Sequence, residues 1–176
     1  MTHRLRDHTA DVAVEATAPT LSGLFESVAE GLTAASCESV PERGERFGVT
    51  VRAERPEALL FDYLDQLIYE RDVRLVLPAD HRCAVSGPAA HGGDETGGGA
   101  DEECDLSVGT GEEAGDGSDE GERSEQGEDD AWTVSASARG VPLADVAARE
   151  IKAVTYSDMA LERRDDGWYA YVVFDV

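Results

Sequence analysis

The sequence predicts an α+β fold: one domain over residues 1–176, with two or three helices packed on a mixed or antiparallel sheet. Three observations point there. Short segments of alternating polarity recur along the chain, the pattern of half-buried strands. Between them lie a few segments whose apolar residues repeat at helical spacing, three of them opened by proline. The last stretch, Trp168 to Val176, reads as a strand apolar on both faces. Trp168, Ala170, Val172 and Phe174 point one way and Tyr169, Tyr171 and Val173 the other. Such a strand belongs inside a sheet, covered above and below.

In chain order, residues 3–10 lead into Asp11, after which Val12, Val14 and Ala16 alternate with Ala13, Glu15 and Thr17 as a first strand. Pro19 and Thr20 open a helix carrying Leu21, Leu24, Phe25, Val28 and Leu32, with Thr20 suited to the N-cap. Polar residues 36–46 connect it to a second strand at Phe47, Val49 and Val51. Pro56 begins the clearest helix, whose Leu59, Leu60, Tyr63, Leu64, Leu67 and Ile68 form one apolar face. Strands are expected near Val73–Leu77 and Cys83–Val85. Beyond Asp130, Trp132 to Ala138 alternates as a strand, and Gly140-Val-Pro142 reads as a turn. Leu143 to about Ala153 reads as a helix with Pro142 at its first position and Glu150 inside its apolar face. Thr155–Arg163 is a strand, turned by Asp165-Asp166-Gly167 into Trp168–Val176.

Charge divides this chain unevenly. The formal net charge is -23, from 38 acidic and 15 basic side chains. Gly87–Asp130 alone holds 16 acids against one arginine, Arg123, together with 12 of the 18 glycines. This 87–130 tract has too little apolar surface to offset its ordering entropy and reads as a disordered insertion in a strand-to-strand loop, with an acidic partner-binding segment as the alternative. Lengthening a loop from about 5 to about 40 residues costs only about 2 kcal/mol of closure entropy. The rest of the chain, at net -8, is moderately acidic and uses arginine everywhere except at its single lysine, Lys152. That balance suits a halophilic protein kept soluble in concentrated salt and disfavours electrostatic binding of bare nucleic acid. Cys37, Cys83 and Cys104 form neither a metal pattern nor a disulfide framework. With no membrane span and no signal segment, a cytoplasmic protein with reduced thiols is expected. No phosphate-cradling loop, dinucleotide fingerprint or nucleophile elbow is present.

Three constellations carry chemistry. His8-Thr-Ala-Asp11 puts an acid at the mouth of a strand, where Asp is by itself first a turn former. Glu150-Ile-Lys152-Ala-Val-Thr-Tyr156 contains the only lysine. It reads either as a required compact ammonium or as the one lysine that survived a compositional bias. At the end, a core strand delivers Asp175 and the terminal carboxylate of Val176 to one place. Burying two anions without a cation is too costly, so water, a basic side chain or a metal must meet them.

Together these resemble the archease family. The resemblance rests on His8-Thr-Ala-Asp11, Leu24-Phe25 with Gly31-Leu32, Glu150-x-Lys152-Ala-Val-Thr-Tyr156, and Gly167-Trp168 running to Val172-Val-Phe-Asp175-Val176. It spans nearly the whole chain outside the acidic tract. One departure is Ser157, where the family commonly has histidine. The resemblance implies a non-enzymatic accessory of the RtcB-type RNA ligase in tRNA splicing, one that promotes ligase guanylylation and multiple turnover. tRNA would be met only through the ligase. It implies a metal site on Asp11, Asp175 and Val176 and a functional lysine at Lys152, with Glu150 and His8 beside them. Hard oxygen donors suit a divalent metal, calcium first, with magnesium or manganese as alternatives. Two other classes compete. One is a metal-dependent phosphoester hydrolase using Asp11, Asp175 and Lys152; the other is a metal-independent, chaperone-like scaffold for RNA-processing proteins.

Overall fold

The computed structural model describes residues 2–7, 11–88 and 131–176, so most of the acidic tract and His8 lie outside the described residues. Among the described residues seven strands and two helices follow in order: β1 (Thr2–Asp7), β2 (Asp11–Ala18), α1 (Leu21–Ser36), β3 (Glu45–Ala53), α2 (Pro56–Arg74), β4 (Val76–Ser86), β5 (Trp132–Pro142), β6 (Ala153–Arg164) and β7 (Gly167–Asp175). They form two antiparallel sheets, β1-β2-β7-β6 and β3-β5-β4. The expected α+β class holds, with the one sheet resolved into two and each helix touching both of them.

α1 starts where Thr20, in an extended conformation, accepts the Gly23 N–H on its Oγ1 at 3.1 Å. Leu24, Phe25 and Val28 are fully buried beneath it, and Leu32 nearly so. Gly31 lets the helix approach β2: a Cβ there would overlap Cγ1 of Val14, which is itself fully buried. α1 also closes an edge. Ser22 Oγ, Glu26 Oε1 and Glu30 Oε1, one turn apart, accept the N–H groups of Val85, Cys83 and His81 at 2.9, 2.9 and 2.8 Å. Those amides lie on β4, an outer strand of its sheet, and would otherwise offer a template for another chain.

α2 begins at Pro56, as its fixed φ favours. Its six expected apolar residues are all buried, and Tyr63 stacks on Phe25 of α1 at 6.0 Å.

Four readings are corrected. β1 was not expected, because Thr2–Asp7 is rich in charge; pairing with β2, from Thr2↔Thr17 to Asp7↔Val12, makes it an outer strand, where charge is common. The strands foreseen at Val73–Leu77 and Cys83–Val85 are one. α2 runs to Arg74 and ends on Leu75 in the left-handed region (φ 55°), and β4 then continues past an irregularity at Asp80 (φ 52°). Gly140-Val-Pro142 is strand, with Pro142 opposite Val76 at the end of β5, where its missing N–H costs least. The third helix is absent: Leu143–Asp145 is a single 3₁₀ turn and an extended run follows. There the main chain bonds outward instead of to itself. The Arg149 N–H reaches Ser36 O at 2.6 Å, and the Lys152 N–H reaches Asp175 O at 2.9 Å. Ile151 is buried, whereas Glu150 is exposed and not within an apolar face. These long-range bonds outweigh a marginal helical periodicity.

The β6–β7 hairpin forms as expected. Arg164 pairs with Gly167 across a two-residue loop, and Gly167 sits at φ 137°, where a Cβ would also overlap Ala18 O. β7 lies between β2 and β6, inside its sheet. Its Ala170, Val172 and Phe174 are fully buried on the helix side. The other face is unevenly covered: Val173 is buried, Tyr169 and Tyr171 are half-buried, and the Arg164 guanidinium lies 3.4 Å from the centre of the Tyr169 ring.

Candidate functional site

The last strand carries the site to its end. β2 and β7 run antiparallel with Val12 opposite Phe174 and Val14 opposite Val172, all buried. That register places Asp11 directly opposite Asp175. Alternation then sends both carboxylates to the sheet face turned away from Val14 and α1, with side chains about 5 Å apart at Cβ. Both residues are partly exposed. Val176 packs its side chain against the main core, which holds the strand end in place.

β6 brings the lysine. Ala153 is the other cross-strand partner of Asp175, and the residue before it donates its main-chain N–H to Asp175 O. The Lys152 ammonium, exposed, donates to Val176 O at 3.1 Å. Thus Asp11, Asp175, Val176 and Lys152 meet although they come from three strands or their ends. Glu150 is exposed two residues upstream. His8 lies outside the described residues. Past the lysine, β6 bulges: Thr155 faces Val173 and Ala160 already faces Tyr171, so the residues between, Ser157 among them, stand out from the ladder. Tyr156, within that irregularity of β6, sets its ring edge-on to Phe61 of α2 at 5.4 Å. Neither that bulge nor the Phe61 contact has a signal in the sequence, because both depend on where β6 meets α2.

The electrostatics are unbalanced. Like charges on directly opposed, partly exposed residues repel by about 1 kcal/mol in water. Among the described residues the ion pairs involve other carboxylates: Asp145, Asp80, Asp72, Glu70 and Glu162. Two facing carboxylates, beside the Val176 oxygen that the Lys152 ammonium also holds, form a hard oxygen donor set that fits calcium or magnesium. Among the described residues no three His, Cys, Asp or Glu gather as a cluster, so a metal here would need Val176 O or water to complete its shell. The hollow lined by Thr17, Arg164, Asp165, Asp166 and Trp168 lies at the opposite end of β2 and β7.

Two helices packed on two antiparallel sheets define the class, a small single-domain α+β protein. The archease protein family matches residues 3–99 and 113–176, and the chain belongs to that family. A protein archease of Pyrococcus furiosus is 25% identical, over 97% of this chain and 95% of the relative. A protein archease of Methanosarcina acetivorans is 27% identical, over 97% and 92%. Two solved structures share the fold. One is protein 1598 of Methanobacterium thermoautotrophicum (TM-score 0.68, 20% identity, 99% of this chain and 98% of that one). The other is an archease of Thermotoga maritima described as a possible chaperone (TM-score 0.53, 19% identity, 99% and 100%). Among the described residues no helix is long and apolar enough to cross a membrane.

Proposed function

We propose that this chain is an accessory protein of an RtcB-type RNA ligase in tRNA splicing, promoting ligase guanylylation and multiple turnover through a divalent-metal site, and is not itself an enzyme. Family membership supports the accessory role. The observation that carries the metal site is the direct cross-strand pairing of Asp11 with Asp175. Asp11, Asp175 and Val176 O would hold the ion, calcium first and magnesium or manganese as alternatives. When bound, the ion would supply the positive charge that two facing carboxylates lack. Lys152 orients the end of the chain through Val176 O and presents an exposed ammonium beside it, where a phosphate or a carboxylate of the partner can be met. Glu150 and, in sequence, His8 flank the same end. The Thermotoga relative's description as a possible chaperone agrees with an action directed at another protein.

An accessory acts only in company. Guanylylation of the ligase with and without this protein, in high salt, should show faster and repeated turnover with it. Release of phosphate or nucleotide by this protein alone would instead favour the hydrolase. Undiminished stimulation after Asp11→Asn would favour a scaffold that needs no metal.

A further inference from the structure

α2 presents a second apolar face that the described residues leave exposed. Its buried side carries Leu59, Leu60, Tyr63, Leu64, Leu67 and Ile68, yet Tyr69 and Val73, one turn apart, are 59% and 61% exposed. Leu75, just beyond, is 67% exposed and sits in the left-handed region, where glycine or asparagine is favoured. An exposed leucine in that conformation adds nothing to the core. At the other end of the helix Phe61 is half-buried and extended outward by Tyr156, itself 50% exposed.

Acids run along the same face. At 100° per residue, Phe61, Asp62, Asp65, Tyr69, Asp72 and Val73 share an arc of about 120°. Asp62, Asp65 and Asp72 are exposed, and only Asp72 has a cation partner among the described residues, Arg71. Arg74 turns off the arc to Glu70 and lies over the Phe47 ring.

We infer that this face docks a protein partner whose surface presents apolar side chains ringed by arginine and lysine. Charge selects among the occupants. Anionic lipid and nucleic acid would be repelled by the aspartates. A second copy, meeting the face through a two-fold axis, would set the same acids against one another. The face is also continuous with the candidate site: Tyr156 follows Lys152 by four residues, so a partner resting on α2 reaches the lysine along β6. The inference rests on the reading of this chain as an accessory protein and supplies the surface through which it is held.

The test measures ligase binding and ligase stimulation by the native protein, by Tyr69→Ser with Val73→Ser, and by Asp62→Arg with Asp65→Arg. Each double variant should bind the ligase about 10- to 100-fold more weakly. Calcium affinity and the unfolding transition should not change. Native-like binding by both variants overturns the docking face while leaving the accessory role intact. Failure of the native protein to stimulate the ligase removes the accessory role, and the docking face with it. A native dimer in sedimentation that Tyr69→Ser with Val73→Ser disperses makes the occupant a second copy and also overturns the inference.

Discussion

Replacing Asp175 by asparagine should stabilise the metal-free protein and abolish the gain it draws from calcium. The two effects have opposite sign and one geometric origin. In the register of β2 and β7, Asp175 faces Asp11 directly, and among the described residues no arginine or lysine forms an ion pair with either. Both are partly exposed, so their repulsion lies nearer the aqueous limit, about 1 kcal/mol. The isosteric amide removes it and keeps the backbone bond from Lys152 N–H to Asp175 O, which does not involve the side chain. With chelator at low ionic strength, Asp175→Asn should therefore unfold about 2–4 °C above the native protein. In molar salt, where the Debye length falls to about 3 Å, that difference should shrink toward zero. Calcium at a hundredfold excess over its dissociation constant should stabilise the native protein by about 2.7 kcal/mol and the variant by far less. Scanning calorimetry over the four conditions measures both effects. Equal calcium stabilisation of the two proteins, with no difference under chelator, would refute the shared site.

Lys152→Arg keeps the charge and the main-chain bond to Asp175 but replaces a compact ammonium with a planar fork at Val176 O. Unfolding should stay within about 0.5 kcal/mol of native while ligase stimulation falls, and full stimulation by the variant would leave the lysine without a specific role. Gly31→Ala should destabilise by about 1–2 kcal/mol, because overlap with Val14 outweighs the gain in helix propensity; a raised melting temperature would show that the contact relaxes freely. His81 is buried with Nε2 3.0 Å from Thr33 Oγ1, and burial pushes its pKa down to about 4. Between pH 6.5 and 4 the unfolded chain binds a proton at this residue and the folded one does not, so its contribution is full above 6.5 and lost as pH falls through 4. The loss is on the order of 3 kcal/mol. His81→Gln should flatten the fall in unfolding free energy across that window, and parallel profiles would contradict the assignment.

The elements legible in the sequence are those whose local signals agree with their packing. Thr20, Pro56 and the apolar faces of α1 and α2 announce helices that the core then buries, and the alternation of β2, β5 and β7 matches the face each strand turns inward. The errors fall where distant partners decide. Thr2–Asp7 looks like a charged tail until β2 pairs with it. Leu143–Ala153 has helical spacing, yet Ser36 and Asp175 take its amides. Alternation alone also placed Asp11 and Asp175 at strand ends, but only the antiparallel register sets them opposite each other. The exposed stripe of α2 stayed hidden because Tyr69 and Val73 look like any other apolar residues until burial shows which face the core uses.

If the facing acids at the ends of β2 and β7 govern an action on the ligase, replacing either one must change how that action depends on calcium. The most direct measurement is the rate of ligase guanylylation across a calcium titration, with native protein, Asp11→Asn and Asp175→Asn. Stimulation should rise with calcium in the native protein, and both variants should lose it or need far more calcium to reach it. Equal stimulation by all three at every calcium concentration would contradict that role of the acids.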